Sequence, residues 1–222
     1  MMSIAENLAT LRKALPEHVT LVAVSKTRTT AEIMEAYAAG QRHFGESKAQ
    51  ELTPKAEELP EDIRWHMVGH LQSNKVKYIA PFVALIHSVD KMKLLKVINK
   101  EGQKNERVIP VLLQLHIAEE STKFGMSFEE VSDLLESDAY REMNAIEVQG
   151  LMGMATFTDD TEQVKKEFRQ LKSHFDAIKR KYFSDQEGFH ILSMGMSNDY
   201  QQGIEEGSNM VRIGTAIFGA RE

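Results

Sequence analysis

Short apolar runs alternate with amphipathic, helix-forming segments eight times along this chain. Runs that are rich in β-branched and aromatic residues and bounded by turn-forming residues are typical of buried strands. The predicted strands are Thr20–Lys26, Arg42–Glu46, Ile63–Val68, Phe82–Ser88, Val108–Ile117, Ala145–Met152, Phe189–Leu192 and Met210–Ile213. Strands that alternate with helices in this way predict a parallel sheet with right-handed crossovers.

Helix-start signals lie between the predicted strands. Ser/Thr followed three residues later by Glu/Gln is a capping box, and it occurs at Ser3, Thr29, Ser47 and Ser127. The box at Ser3 precedes the first strand and predicts an additional N-terminal helix. Asp90 and Asp160 are further candidate N-caps, the second for a long helix over Thr161–Tyr182.

Eight strand–helix units most simply close into a (β/α)8 barrel of the TIM type. An open, doubly wound parallel sheet is the alternative arrangement. The 222 residues contain no change of composition and no low-complexity linker. We therefore expect residues 1–222 to form a single barrel domain with an extra N-terminal helix.

Composition excludes several classes of function. Twenty-seven basic against 33 acidic residues give a net charge of −6, so neither nucleic acid nor a membrane surface is an expected partner. The chain has no cysteine, which excludes disulfides and thiolate metal sites and suits a reducing cytoplasm. No secretory signal is visible, and no apolar run approaches the roughly 20 residues that span a bilayer.

Lys26 ends the first predicted strand. Functional groups of these barrels gather at the carboxyl ends of the strands. A partly desolvated amine at such a position loses its proton more readily than a surface lysine and can capture a carbonyl compound. The alternative is a strand-end lysine that extends its ammonium group to water.

Hydroxyls and glycines follow the last two strands, in Ser193-Met194-Gly195-Met196-Ser197 and in Gly214-Thr215. Phosphate sites in TIM barrels are commonly built from these two loops and a short helix N-terminus. Each segment alone could be a simple turn. A lysine facing a phosphate site across the barrel mouth suggests a phosphorylated aldehyde, and pyridoxal 5′-phosphate (PLP) fits that description.

With these features, the chain resembles the PLP-binding homeostasis protein family. Members of this family are small barrels akin to the N-terminal domain of alanine racemase. The segments that carry the resemblance are Ala23–Lys26, His43–Glu46, Trp65-His66 with Gly69, Leu71-Gln72, Asn74-Lys75, Gly150–Met152, Ser193–Ser197 and Val211–Thr215. They run nearly the full length of the chain.

The resemblance implies a role for each matching residue. Lys26 would hold PLP as a Schiff base, and Arg212 would meet the pyridine nitrogen. Ser193, Ser197, Gly214 and Thr215 would bind the phosphate. A cation at the ring nitrogen disfavours its protonation and makes the ring a poorer electron sink.

Other polar residues near the predicted strand ends carry weaker expectations. Asn74 would lie near the ring or its 3′-oxygen. Ser47 replaces an asparagine that is common in relatives, and Lys123 is a loop lysine or a second amine near the mouth. His66 is expected to be a packed strand residue. The eight histidines show no tight metal-ligand spacing, so we expect no metal site.

Three functions fit these observations. The first is a PLP carrier in vitamin B6 homeostasis that works without catalytic turnover, serves PLP-requiring apo-enzymes and is monomeric. The second is a PLP-dependent racemase or decarboxylase; such enzymes in this fold class carry a second, β-rich domain with a proton-moving tyrosine, for which this chain offers no counterpart. The third is a barrel that binds another phosphorylated metabolite, with Lys26 as a plain cation.

Overall fold

Eight parallel strands form a closed barrel in the computed structural model, which describes residues 3–119 and 124–220. The strands are β1 (Thr20–Val24), β2 (His43–Glu46), β3 (Arg64–Met67), β4 (Leu85–Val89), β5 (Ile109–Gln114), β6 (Ile146–Met152), β7 (Ile191–Met196) and β8 (Met210–Ile213). Each pairs with its neighbours in sequence, and β1 pairs with β8 through Val22 opposite Arg212 to close the ring. The predicted (β/α)8 barrel is thus confirmed, and the open sheet is not.

Ten α-helices are found in the described part of the chain. They are α1 (Ile4–Ala14), α2 (Thr30–Ala38), α3 (Ala49–Glu58), α4 (Val76–Ile79), α5 (Met92–Lys104), α6 (Phe128–Glu136), α7 (Asp138–Arg141), α8 (Thr161–Tyr182), α9 (Tyr200–Glu205) and α10 (Thr215–Phe218). A 3-10 turn over Ser73–Lys75 leads into α4. The extra N-terminal helix is α1, which packs against α2 and α10. Within the described residues, none of these helices combines the length and apolar character needed to cross a bilayer.

Two apolar clusters hold the barrel together. The larger lies between the strands and the helices, as alternating β/α architecture requires. The smaller fills the inside of the ring and consists of Val22, Leu85, Leu112, Met152, Ile191 and Met210. Buried polar side chains also lie in the barrel, which makes its interior unusually polar for a core.

Helix starts agree with the sequence prediction at some positions and differ at others. Ser3, Thr29 and Ser127 form complete capping boxes, and Asp160 caps α8. The predicted box at Ser47 is wrong, because α3 begins one residue later, after Lys48, and has no side-chain cap.

Asp90 likewise does not cap α5, whose N-cap is Lys91. The Asp90 carboxylate instead approaches His70 Nδ1 at 3.3 Å and Lys91 Nζ at 3.4 Å. Its side chain is therefore engaged by groups near the barrel mouth.

The seventh strand differs most from the prediction. The sequence places its end at Leu192, whereas β7 runs to Met196. A bulge lies between Ser193 and Met196, where Gly195 adopts a φ of +99°. Ser193 is consequently a fully buried strand residue and not part of a loop.

Candidate functional site

A cavity of about 470 Å³ opens at the carboxyl-terminal mouth of the barrel. Its lining includes five of the seven predicted site residues: Lys26, Ser197, Arg212, Gly214 and Thr215. These residues come from the ends of β1, β7 and β8, which are adjacent in the closed ring. The topology thus brings together a primary amine, a guanidinium group and a hydroxyl- and glycine-rich loop pair.

Lys26 stands on a strained turn at the end of β1. The next residue, Thr27, has a φ of +66°, which is unfavourable for a β-branched residue. The Thr27 N–H donates to Glu51 Oε2 of α3 at 2.9 Å. This bond from a neighbouring helix helps hold the chain reversal that places Lys26 at the cavity.

A buried ionic network lies beneath this turn. Glu46, at the end of β2, accepts hydrogen bonds from Ser25 Oγ at 2.6 Å and from Lys55 Nζ at 2.7 Å. Lys55 Nζ also donates to the Ser25 carbonyl at 3.0 Å. Burial raises the pKa of Glu46, and the bonds from Lys55 and Ser25 partly oppose that shift. The network ties the residue before Lys26 to α3 and β2.

Arg212 lies almost wholly inside the barrel and reaches the floor of the cavity. Its Nη1 donates to the Ser193 carbonyl at 2.9 Å and to Ser193 Oγ at 2.6 Å, and its Nη2 donates to the Gly153 carbonyl at 3.1 Å. Burial lowers the pKa of Arg212 to about 10, while Asp199 acts in the opposite direction. The guanidinium group therefore remains charged at neutral pH and is held by three acceptors.

Ser197 and Gly214 join the loops after β7 and β8. The Gly214 N–H donates to Ser197 Oγ at 3.3 Å. A Cβ at position 214 would lie 3.1 Å from the Val24 carbonyl oxygen, so a side chain would crowd the end of β1. Thr215 begins α10, whose first N–H groups have no partner within the helix. This corner of the cavity offers several donors to an anion.

Two predicted site residues do not line the cavity. Ser193 lies below it in β7, with its hydroxyl engaged by Arg212, because the strand extends further than the sequence indicated. Asn74 is exposed on the 3-10 turn after β3. The contacts predicted for these two residues are not evident in this arrangement.

The remaining sequence candidates are distributed differently. Ser47 lines the cavity, whereas His66 is buried in β3 and lines a second pocket at the opposite end of the barrel. Lys123 lies outside the described residues. No group of three or more His, Cys, Asp or Glu side chains suited to a metal ion occurs in residues 3–119 and 124–220.

Several residues that line the cavity were not predicted as site residues from the sequence. His70 stacks on Phe124 with ring centroids 4.1 Å apart, and Gln114 Nε2 donates to the Phe124 carbonyl at 2.9 Å. Arg28 also lines the cavity. Gln114 could have been identified from the sequence, since it is the one strongly polar residue in the apolar run of β5. The stacking of His70 on Phe124 could not, because the two residues lie in loops that are far apart in sequence.

The fold and the cavity together define a class. The protein is a (β/α)8 barrel that presents a lysine after its first strand, and hydroxyl and backbone N–H groups after its last two, at one cavity. The model of the alanine racemase N-terminal domain family matches residues 1–222.

Two curated relatives are both called pyridoxal phosphate homeostasis protein. The Aquifex aeolicus protein is 39% identical over 203 residues, covering 91% of this chain and 87% of the relative. The Escherichia coli K12 protein is 35% identical over 236 residues, covering 100% and 98%. The chain therefore belongs to the alanine racemase N-terminal domain family and, within it, to the pyridoxal phosphate homeostasis proteins.

Solved structures agree with this assignment. PipY of Synechococcus elongatus PCC7942, solved with PLP bound, is 34% identical and superposes with a TM-score of 0.88, covering 98% of this chain and 100% of PipY. Alanine racemase from Bartonella henselae is 16% identical with a TM-score of 0.72, and the chain covers 58% of it. The similarity to alanine racemase shows the fold alone.

Proposed function

We propose that this protein binds PLP in the carboxyl-terminal cavity and serves in PLP homeostasis. The observation that carries the proposal is the placement of Lys26, Arg212 and the Ser197–Gly214–Thr215 corner around one cavity. The PLP-bound state of PipY and the names of the curated relatives support it.

The residues present fit this cofactor. PLP brings an aldehyde, which condenses with a primary amine with loss of water, and a phosphate ester, which needs hydrogen-bond donors. Lys26 supplies the amine, and the Ser25–Glu46–Lys55 network positions the turn that carries it. The cavity is large enough to enclose a small heteroaromatic ligand.

The phosphate belongs at the corner formed after β7 and β8. Ser197 contributes a hydroxyl and Thr215 a backbone N–H. The Gly214 N–H holds the Ser197 hydroxyl in place, and the glycine lets the backbone approach closely. Ser193 acts one step away, because its carbonyl and hydroxyl orient Arg212. Asn74 has no part in this proposal because it is exposed outside the cavity.

Arg212 determines what the bound ring can do. We assign it to the pyridine nitrogen, where a fixed cation disfavours ring protonation. An unprotonated ring withdraws electrons less strongly than one paired with a carboxylate. Weaker electron withdrawal by the ring favours storage of PLP over catalytic turnover. We extend the proposal to a cytoplasmic monomer that supplies PLP to PLP-requiring apo-enzymes. A racemase-like enzyme remains the competing function.

Borohydride trapping tests the proposal directly. PLP added to the protein should produce a yellow adduct, and reduction should fix a pyridoxyl group on the peptide that contains Lys26. Lys26→Ala should lose the colour and the label and bind PLP at least about tenfold more weakly, since the covalent contribution disappears. Lys100→Ala, which removes an exposed lysine of α5, is the matched control and should behave as the parent protein.

Two results would count against this function. A protein that takes up no PLP, or a label on another lysine, would remove the assigned role of Lys26. Rapid exchange of the α-hydrogen of an amino acid with solvent deuterium by the PLP-loaded protein would instead favour the racemase-like enzyme.

A further inference from the structure

A second pocket of about 420 Å³ opens at the opposite, amino-terminal end of the barrel. Its polar lining includes His18, His43, Arg64, His66 and His190. We propose that this pocket, here called the lower mouth, binds small anions that carry a carboxylate or phosphate group, and that a chain of hydrogen bonds through the barrel connects it to Arg212. The site is separate from the proposed PLP cavity.

The connecting chain consists of three histidines and a serine. His43 Nδ1 lies 2.9 Å from His66 Nε2, and His66 Nδ1 lies 2.9 Å from His87 Nε2. His87 Nδ1 lies 3.2 Å from Ser193 Oγ, which receives the bond from Arg212 Nη1. Neighbouring strands β2, β3 and β4 supply the three imidazoles, so the chain crosses the barrel interior from one end towards the other.

We assign a direction to these bonds, starting from Arg212. A guanidinium group has donors only, so Ser193 Oγ accepts from it. The serine hydroxyl still has one proton to donate, and we direct that proton to His87 Nδ1, 3.2 Å away. His87 then donates from Nε2 to His66, and His66 donates from Nε2 to His43. A neutral imidazole has one donor and one acceptor, so this order leaves the Nε2–H of His43 as the terminal donor, at the lower mouth.

Burial keeps the central imidazoles neutral, as the chain requires. It lowers the pKa of His66 to about 3 and holds the pKa of His87 well below its usual value. His43 is shifted in the same direction by burial and by the positive charge of Arg64. A chain of neutral rings in one orientation polarises along its length, so its terminal donor is strengthened.

The lower mouth therefore offers donors and positive charge. In the part of the chain that the structure describes, its lining has no Asp or Glu side chain, and Arg64 makes no ion pair. The acidic residue Glu147, which lies beside the pocket, accepts a hydrogen bond from the lining residue Gln149.

Two other polar side chains of the lining, those of His190 and Asn209, are already engaged. His190 Nδ1 lies 2.9 Å from the Gly188 carbonyl oxygen, and the Asn209 amide bonds the Leu192 N–H and the His190 carbonyl. We assign the ligand to His43, at the end of the histidine chain, and to Arg64, and His18 is a further imidazole of the same lining. Together they match an oxyanion.

Histidine side-chain NMR tests the proposal. The protein is first loaded with PLP and reduced with borohydride, so that the upper cavity is occupied; inorganic phosphate and acetate are then titrated separately. The ring-nitrogen spectra should show His66 and His87 as Nε2–H tautomers, and the anion should shift the signals of His43 and His66. Arg64→Gln should weaken the response about tenfold or more, and Arg180→Gln, an exposed change of equal charge outside the pocket, should leave it unchanged.

The possible outcomes are distinct. Nδ1–H tautomers at His66 and His87 would overturn the direction of the chain. Unshifted His43 signals with both anions, or equal responses of the Arg64→Gln and parent proteins, would overturn the anion site. The His43 signal can also be followed in protein without PLP, so failure of PLP binding and failure of the lower mouth are told apart. A response to phosphate alone or to acetate alone identifies which anion the site accepts.

Discussion

Buried polar residues give this barrel its chemistry at the scale of single residues. Glu46, Lys55, Ser193 and Arg212 are nearly or fully excluded from solvent, and each is engaged by a specific partner. A buried charge without such a partner is strongly unfavourable. The Glu46–Lys55 pair fixes the turn that carries Lys26, and the bond from Arg212 to Ser193 fixes the guanidinium group. Both positions are therefore defined more precisely than apolar packing alone would define them.

The buried histidines should make stability depend on pH. The pKa values of His66 and His87 are lowered in the folded protein, so below about pH 6.5 the unfolded chain binds more protons than the folded one. Stability should fall as the pH decreases from about 6.5, and for His66 the loss continues to a pH of about 3. Each histidine contributes about 1.4 kcal/mol per pH unit in this range.

Urea unfolding at several pH values between 6.5 and 4.5 measures this effect. His66→Gln keeps an amide donor and acceptor but cannot titrate, so the pH slope of its unfolding free energy should be smaller than that of the parent by about 1.4 kcal/mol per unit. Ser184→Ala, an exposed change that removes no titratable group, should not change the slope. An identical slope for His66→Gln and the parent would refute the neutral buried ring. Glu46, with a raised pKa, changes stability in the opposite sense as pH rises, but it is common to all three proteins.

At the scale of secondary-structure elements, the bulge in β7 decides which residues reach the cavity. Gly195 at a φ of +99° lets the strand turn so that Met196 and Ser197 line the mouth while Ser193 faces Arg212. A Cβ at position 195 would lie 2.8 Å from Tyr200 Cα, at the start of α9. Ser-Met-Gly-Met-Ser has the composition of a loop, so the sequence alone predicts that β7 ends before it. The observed length of β7 and its bulge instead depend on pairing with β6 and β8.

Gly195→Ala should destabilise the protein and weaken PLP binding. The change adds the strain of a positive φ and a backbone contact, and together they should cost about 2–3 kcal/mol. Gly219→Ala is the matched control, because Gly219 also has a positive φ, +84°, but a Cβ there meets nothing within 4 Å. Its cost should be about 1 kcal/mol. Equal unfolding free energies for the two variants would show that the close approach to α9 has no role.

At the scale of the whole molecule, closure of the ring links every element to the same core. The pairing of β1 with β8 joins the two ends of the described chain, and α1 packs against α10. Among the described strands β1–β8, closure also leaves no edge exposed. We therefore predict that residues 1–222 form one cooperative domain.

Equilibrium unfolding followed by two probes tests this prediction. Trp65, the only tryptophan, is buried in β3 and reports on one side of the barrel by fluorescence, while far-ultraviolet circular dichroism averages over all helices. The two transitions should coincide within error, and PLP should shift both to the same higher denaturant concentration. Separate transitions would show that part of the chain folds independently.

Strand–helix alternation, with the capping boxes at Ser3, Thr29 and Ser127, was enough to predict the barrel, because periodicity and capping depend on residues close in sequence. The lysine after the first strand and the glycine-rich segments near the last two could likewise be located from their order along the chain, since closure brings those strand ends together. The tertiary structure alone decided that Ser193 turns towards Arg212, that Asn74 stays outside the cavity, and that three histidines from separate strands join in one chain. The direction and burial of those side chains depend on register, on a bulge and on contacts between residues far apart in sequence, which no local pattern encodes.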